Sequence, residues 1–373
     1  MANAKPCFGY SMYVKTNIDK IEGLEPAMKQ LWIDTKVKQI EVAHPTSLKP
    51  IDTSAMNVLI TDAMLNVESK LQPYSSLSLS LSGGSDSDIV LDILARSTSR
   101  FKDIHFVYFD TGMEYEATKN HLDYLEDKYG IVIEREKAVK SIPFTCKTYG
   151  QPFLSKYVSE MIFRLQRSGF QWEDEPFDVL IKKYPRNHSS LKWWCDDRGE
   201  NSKFSITRNK YLKEFMVANP PTFSISAKCC EYAKKMVAKR YEDRMGIGLA
   251  ITGIRKAEGG IRASAYTSCL SDRSDDVSHY RPIFWFKDSD KEAYEIACDV
   301  HHSDCYTVYG MKRTGCAGCP FGRDFEKELE IIQKYEPRLY KTVTNIFRDS
   351  YDYTRRYKEF VKQKKAEENG SRT

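Results

Sequence analysis

The sequence predicts an α/β protein with a doubly wound parallel sheet, and three observations predict it. Leu77 to Leu81 alternates leucine with serine as a short strand does, and it runs through Ser82-Gly83-Gly84-Ser85-Asp86-Ser87 into a helix whose apolar face opens at Ile89, Val90 and Leu91. Strand-like and helix-like segments then alternate: a strand at Ile104–Phe109, a helix through Tyr129 and a strand at Ile131–Glu134. A fourth apolar strand, Gly248–Thr252, feeds a loop rich in glycine and arginine. Such alternation argues for parallel strands, with ligands bound beyond their carboxyl ends.

The elements before and after this centre follow in order. Residues 1–72 read as a helical lead-in: Met56, Leu59, Ile60, Met64, Leu65 and Val67 recur at helical intervals between Ser54 and Leu71, and Pro45, Pro50 and Pro73 break the lead-in on either side of that run. Residues 73–265 form the α/β domain, broken at about 141–226 by aromatic and polar sequence that suits a lid or a substrate wall. Residues 266–373 form a C-terminal region that becomes a charged helix from about Phe325 to Lys365. Its Arg355-Arg356-Tyr357-Lys358 reads as a solvated helix face, with nucleic-acid contact as the alternative.

With 41% hydrophobic and 29% charged residues over 373 positions, the composition is that of a water-soluble chain able to bury a substantial core. No window approaches the ~18 apolar residues of a membrane span, so a cytoplasmic protein without membrane contact is expected. The net charge of +5 tolerates a polyanionic partner without demanding one.

The hexad Ser82–Ser87 carries the chemistry of the first half. Paired glycines turn the backbone tightly and bring its N–H groups near a ligand, while the helix start adds unpaired donors and partial positive charge. A phosphate suits that place; a plain glycine turn with Ser85 or Asp86 as helix cap is the alternative. No G-x-x-x-x-G-K-[ST] and no G-x-G-x-x-G after a strand competes with it. Asp110 stands at the end of the second strand, as a ligand contact or as an Asx turn. Arg255 and Arg262 flank glycines after the fourth strand, where planar guanidinium groups could clamp phosphate or sulfate oxygens.

The chain has ten cysteines, and their spacing matters more than their number. Cys229 and Cys230 are adjacent, and Cys316-Ala-Gly-Cys319 stands about 85 residues later, ahead of Pro320. Thiolates favour zinc and iron–sulfur clusters alike, so the residues leave both open, although adjacent cysteines serve tetrahedral zinc poorly. Cys269 follows the Arg262 segment and is a fifth candidate, so four of Cys229, Cys230, Cys269, Cys316 and Cys319 would be the ligands. Cys195, Cys298 and Cys305 read as structural thiols, and Cys7 is alone.

The hexad Ser-Gly-Gly-x-Asp-Ser, set between a strand and a helix, resembles the PP-loop of the ATP pyrophosphatase, or adenine nucleotide alpha-hydrolase-like, superfamily. Asp110-Thr111-Gly112, Gly253-Ile254-Arg255 with Glu258 and Arg262, Arg281-Pro282-Ile283-Phe284-Trp285 with Asp288, and Arg313-Thr314-Gly315-Cys316 resemble motifs of the phosphoadenosine phosphosulfate (PAPS) reductase-like family. The Cys-Cys…Cys-x-x-Cys layout is similar to the [4Fe–4S] signature of adenylylsulfate (APS) reductases. The likeness covers about residues 75–325. It implies an adenine nucleotide at Ser82, Gly83, Gly84, Ser85, Asp86, Ser87 and Asp110, a [4Fe–4S] cluster on the cysteines, and Asp86, Arg255 and Arg262 at the reacting phosphate.

Two departures from the reductases select the reaction. Those enzymes carry a catalytic cysteine near the C-terminus, and nothing after Cys319 is a cysteine here. They also use a degenerate loop for an already adenylated sulfate, whereas this loop is intact and suits ATP with Mg²⁺ near Asp86. The expectation is an ATP-dependent, AMP- and pyrophosphate-forming sulfur-transfer enzyme with a nucleic-acid or small-molecule acceptor. A cysteine desulfurase or other sulfur donor would be its partner. The alternatives are a PAPS or APS reductase that releases sulfite, and a non-catalytic sensor of nucleotide and cluster.

Overall fold

The computed structural model describes residues 19–199, 202–259, 265–272, 276–322 and 324–370. The chain divides into two compact units. Unit 1 comprises residues 1–109, 116–136 and 238–314, and unit 2 comprises residues 110–115, 137–237 and 315–373.

Unit 1 is built on six strands, β1 (Leu77–Ser80), β2 (Ile104–Asp110), β3 (Ile133–Lys137), β4 (Leu249–Ile251), β5 (Leu270–Ser271) and β6 (Ser278–Tyr280), in the order β3-β2-β1-β4-β6-β5. β1 runs parallel to both neighbours, Leu79 facing Phe106 on β2 and Ile251 on β4. β4 and β6 are also parallel, and only the short edge pair β5–β6 is antiparallel. The central strands are buried, as the predicted parallel sheet requires. β5 and β6 escape sequence detection because they are two and three residues long and carry Ser and His in place of a β-branched run.

The lead-in packs on this sheet. Ile33, Val37 and Ile40 of the helix Pro26–Ala43 share one apolar core with Leu77, Leu79, Ile89 and Ile93. The single helix predicted over 54–71 is two, Val58–Leu65 and Val67–Leu71, and the first starts where Asn57 Oδ1 accepts the Ile60 N–H at 2.9 Å.

Unit 2 has its own core. Phe153, Met161, Leu165, Trp172, Trp193, Trp194 and Phe215 are buried together with Tyr353 and Tyr357 of the helix Arg348–Gly370. Phe153 and Phe215 lie 4.9 and 5.0 Å from the Tyr353 ring. Arg355-Arg356-Tyr357-Lys358 is therefore partly structural: Tyr357 is buried with its hydroxyl on the Lys210 carbonyl, and Arg355 is held by Glu326 and Asp352. No helix among the described residues is long and apolar enough to cross a membrane.

Candidate functional site

In unit 1 the sheet reverses direction of growth at β1, with β2 on one side and β4 on the other, and open α/β sheets bind ligands at that crossing. The predicted loop leaves β1 there. Gly83 has φ +64°, and a Cβ on it would press on the Thr118 side chain at 2.5 Å. The helix Ser85–Ser97 then begins without a side-chain cap; Ser85 N–H donates to the Tyr306 hydroxyl at 3.2 Å and Ser87 N–H to the Gly84 carbonyl at 2.9 Å, which leaves the Asp86 N–H to face a ligand. Within the turn, Ser87 Oγ donates to the Gly84 carbonyl at 2.6 Å and lies 3.2 Å from Ser82 Oγ. Ser82, Gly84 and Ser87 thus brace the turn.

The loop after β4 approaches the same place. Gly253 lies so close that a Cβ would meet the Asp86 carbonyl carbon at 2.8 Å. Beyond it the buried Arg255 donates from Nε to Asp86 Oδ1 at 3.0 Å and from Nη1 to Asp288 Oδ1 at 2.9 Å. Lys291 lies 3.2 Å from the same Asp86 oxygen and donates to Ser85 Oγ. Two cations therefore sit at the N-terminal turn of this helix, where an anion is already favoured. Arg255 is where the sequence predicted it; Arg262 lies outside the described residues. Lys291 and Tyr306 were missed, and only the Asp288 segment three residues earlier hinted at the first.

Behind the loop, the helix is fixed by buried polar contacts. Asp88 Oδ2 lies 2.9 Å from His121 Nε2 and 2.8 Å from His302 Nδ1, and His302 Nε2 lies 2.8 Å from Glu295. Burial alone would hold His302 down, but its bonds to Asp88 and Glu295 push it up to about 9. Burial likewise opposes the Asp88 charge, and the two imidazoles outweigh it and lower the carboxyl.

Unit 2 holds the cysteine pairs. Cys230 lies in the helical run Lys228–Met245, where the turn Glu231–Lys235 is π-helical, a distortion often found at functional sites. The Cys229 thiol is pushed up chiefly by its hydrogen bond to Cys146, and Cys319 also acts on it. Cys230 is pushed up by its bond to Cys229 and by burial. Burial, then neighbouring Cys316 and Cys230, push Cys319 up to about 12. Burial works against the charge of Lys234, but Cys316 and Cys230 beside it raise it. Cys230, Cys316 and Cys319 are half-buried, and Lys234 is exposed.

Backbone contacts hold the Cys316–Cys319 loop. Ala317 N–H donates to the Met113 carbonyl at 2.7 Å, Gly318 N–H to Glu328 at 3.0 Å, and the Tyr351 hydroxyl to the Gly318 carbonyl. Thr111 Oγ1 is 3.6 Å from Cys316 Sγ. Asp110 makes an Asx turn, accepting the Gly112 N–H at 2.8 Å. Cys269 lies elsewhere, in unit 1, half-buried against the apolar core with Lys70 and Asp62 as its charged neighbours. Cys146 is the thiol that sequence spacing did not single out.

The thiols fit a thiolate-bound group in kind: Cys229, Cys230 and Cys319 are each pushed up by burial and neighbouring thiols, and a bound cationic centre would relieve that. They are neighbours without being convergent, since no group of three or more His, Cys, Asp or Glu among the described residues is placed to hold a metal ion. Mg²⁺ makes no such demand, because it arrives on nucleotide phosphates and needs only one or two carboxylates.

The family model described as the phosphoadenosine phosphosulfate reductase domain matches residues 76–185. An uncharacterized protein of Methanocaldococcus jannaschii is 30% identical over 143 residues, which are 38% of this chain and 28% of that protein, so the chain spans little more than a quarter of this relative. Among solved structures, a PAPS reductase from Candida auris in a phosphate complex aligns at TM-score 0.38 and 14% identity over 68% of this chain and 87% of that one. The U34-tRNA thiolase NcsA from Methanococcus maripaludis with its [4Fe-4S] cluster aligns at TM-score 0.33 and 11% identity over 90% and 81%. The matched segment begins one residue before β1 and contains the whole glycine loop, so the resemblance to the PAPS reductase domain falls on the part of the mostly parallel sheet that carries the loop.

Proposed function

We propose that the protein is an ATP-dependent, AMP- and pyrophosphate-forming sulfur-transfer enzyme of the cytosol. The observation that carries this reading is the pair of cations, Lys291 and Arg255, gathered on Asp86 at the uncapped start of the helix Ser85–Ser97. The Asp86 N–H, Lys291 and Arg255 would receive the phosphates of ATP, with Mg²⁺ shared between those phosphates and Asp86. An acceptor carbonyl oxygen attacks the α-phosphorus, pyrophosphate leaves, and the oxygen becomes part of an AMP ester. A sulfur nucleophile then attacks the carbonyl carbon and AMP departs with the oxygen.

In unit 2, Cys229, Cys230, Cys316 and Cys319 would hold a [4Fe–4S] cluster, which when bound supplies a thiophilic site for sulfur. A cysteine desulfurase or another sulfide source would be the sulfur donor, and a nucleic acid the acceptor.

The test is product analysis on anaerobically purified protein with ATP and Mg²⁺. AMP and pyrophosphate are expected, and chelation with EDTA should stop their formation. ADP and phosphate would overturn the reading. Thioredoxin-dependent sulfite from PAPS or APS, at roughly 1 per second or faster, would replace it with sulfonucleotide reduction.

A further inference from the structure

One surface of unit 2 alternates aromatic rings with cations. The Tyr149 and Tyr232 rings stack with centroids 5.4 Å apart and planes at 21°. Lys140 Nζ lies 4.5 Å from the Tyr232 centroid and 5.0 Å from that of Tyr149, whose hydroxyl accepts from it at 2.6 Å. On one side Lys140 also reaches Phe144, a ring 52% exposed. Lys228, whose charge acts on both tyrosines, extends the pattern to Phe163 at 6.0 Å, and Arg167 stands 5.7 Å from that ring.

The backbone holds these groups in place. The helix Ile142–Tyr149 ends at Gly150, φ +111°, where any Cβ would collide with the Ser224 carbonyl. Gln151 can therefore pair with Ile225, and the Val139 N–H donates to the Tyr232 carbonyl at 3.1 Å. Tyr232 is two residues from Cys230 in the same helical run.

Charge separates the two units. Unit 2 has 31 Lys and Arg against 22 Asp and Glu, a formal +9, whereas unit 1 has 26 against 30, a formal −4. The mild charge of the whole chain therefore hides a strongly cationic unit, and that unit carries the rings. Rings that accept any base and cations that follow the phosphates are what single-stranded nucleic acid binds. A duplex cannot use them, because its bases are stacked on each other. Folded RNA offers unpaired bases in loops and bulges, where base stacking on aromatic side chains is the usual mode.

We propose that this surface binds a single-stranded segment of RNA, with a base on the Tyr149–Tyr232 pair and phosphates on Lys140, Lys228 and Arg167. The inference rests on the reading that the sulfur acceptor is a nucleic acid, and names its class.

The experiment is fluorescence anisotropy of the full chain with a labelled 12-nucleotide uridine-rich RNA, titrated between 50 and 200 mM salt, beside the same sequence as single-stranded DNA and as duplex. RNA binding is expected with a log–log salt slope of about −2, from three phosphates at about 0.7 each. Tyr232→Ala should weaken it about tenfold, Tyr232→Phe should restore it, and Lys140→Ala should flatten the slope by about 0.7. No RNA binding at 50 mM salt, equal affinity of Tyr232→Ala and wild type, or tighter binding of duplex or DNA would each overturn the inference. Pyrophosphate release by the wild type is measured in parallel. Its absence alongside RNA binding sinks the activity reading alone, and its presence without RNA binding sinks this one alone.

Discussion

Arg255 reaches Asp86 across 169 positions of sequence to place Nε 3.0 Å from Oδ1, and so joins the loop after β4 to the helix start after β1. The bond is shielded, with the Arg255 side chain only 8% exposed, and Asp288 takes a second nitrogen. Asp86 therefore has two duties in this site: it holds two cations where phosphates would arrive, and it balances a buried guanidinium.

Asp86→Ala should abolish AMP and pyrophosphate formation and also destabilise unit 1 by about 1–3 kcal/mol, because Arg255 is left partly unpaired in the interior. Lys291→Met separates the two duties. It removes a cation from the loop yet leaves the Arg255–Asp86 bond, so ATP affinity should fall while the urea midpoint stays near wild type. A Lys291→Met protein with unchanged ATP affinity would remove Lys291 from the site.

His302 gives unit 1 a pH dependence of known sign. Its folded value near 9 lies above the 6.5 of the free imidazole, so its contribution is complete below pH 6.5 and is lost as pH rises through 9. The full effect is about 3 kcal/mol. Urea midpoints measured from pH 6 to pH 10 should fall for the wild type and stay flatter for His302→Gln, which cannot take the proton. Parallel profiles for the two proteins would exclude this role.

The sheet and the glycine loop were legible because they rest on local rules. Alternating Leu77, Leu79 and Leu81, two glycines and an apolar helix face each declare their geometry within a dozen residues. Tyr306 and His302 were not legible, since nothing near them in sequence marks them, and Lys291 was hinted at only by the neighbouring Asp288 segment; all three matter because folding brings them to Ser85, Asp86 and Asp88. Cys146 was hidden for the same reason, having no spaced partner in sequence and Cys229 beside it only in the fold. The aromatic residues of 141–226 suggested a lid or a wall; their buried members form a core with Tyr353 and Tyr357, which no spacing rule connects.

Gly318 is a sharp test of the loop that carries the last cysteine pair. Its φ of +61° suits glycine, and a Cβ there would stand 2.7 Å from the Tyr351 hydroxyl and 3.0 Å from Val343. Gly318→Ala should cost about 1–3 kcal/mol of unit 2 stability through strain and lost packing. It should also lower iron loading, because the Cys316–Cys319 spacing depends on that turn. Normal stability with normal iron content would show the turn to be tolerant.

The cysteines themselves give the last prediction. Unit 2 gathers Cys229, Cys230, Cys316 and Cys319, with Cys146 behind Cys229, while Cys269 packs on the apolar core of unit 1 beside Lys70. Anaerobically purified protein should be brown and hold about four iron and four sulfide per chain. Cys316→Ser and Cys319→Ser should each lose the iron, since a serine hydroxyl is a poor ligand for a thiophilic centre. Cys7→Ser should keep it, and so should Cys269→Ser if the ligands all come from unit 2. Cys146→Ala leaves four other thiols in place, so it should retain iron while removing the hydrogen bond that raises the Cys229 thiol. Iron and acid-labile sulfide assays on the five variants decide among these assignments. One equivalent of zinc without sulfide in the wild type would exclude the cluster, and loss of iron in Cys269→Ser would move a ligand into unit 1.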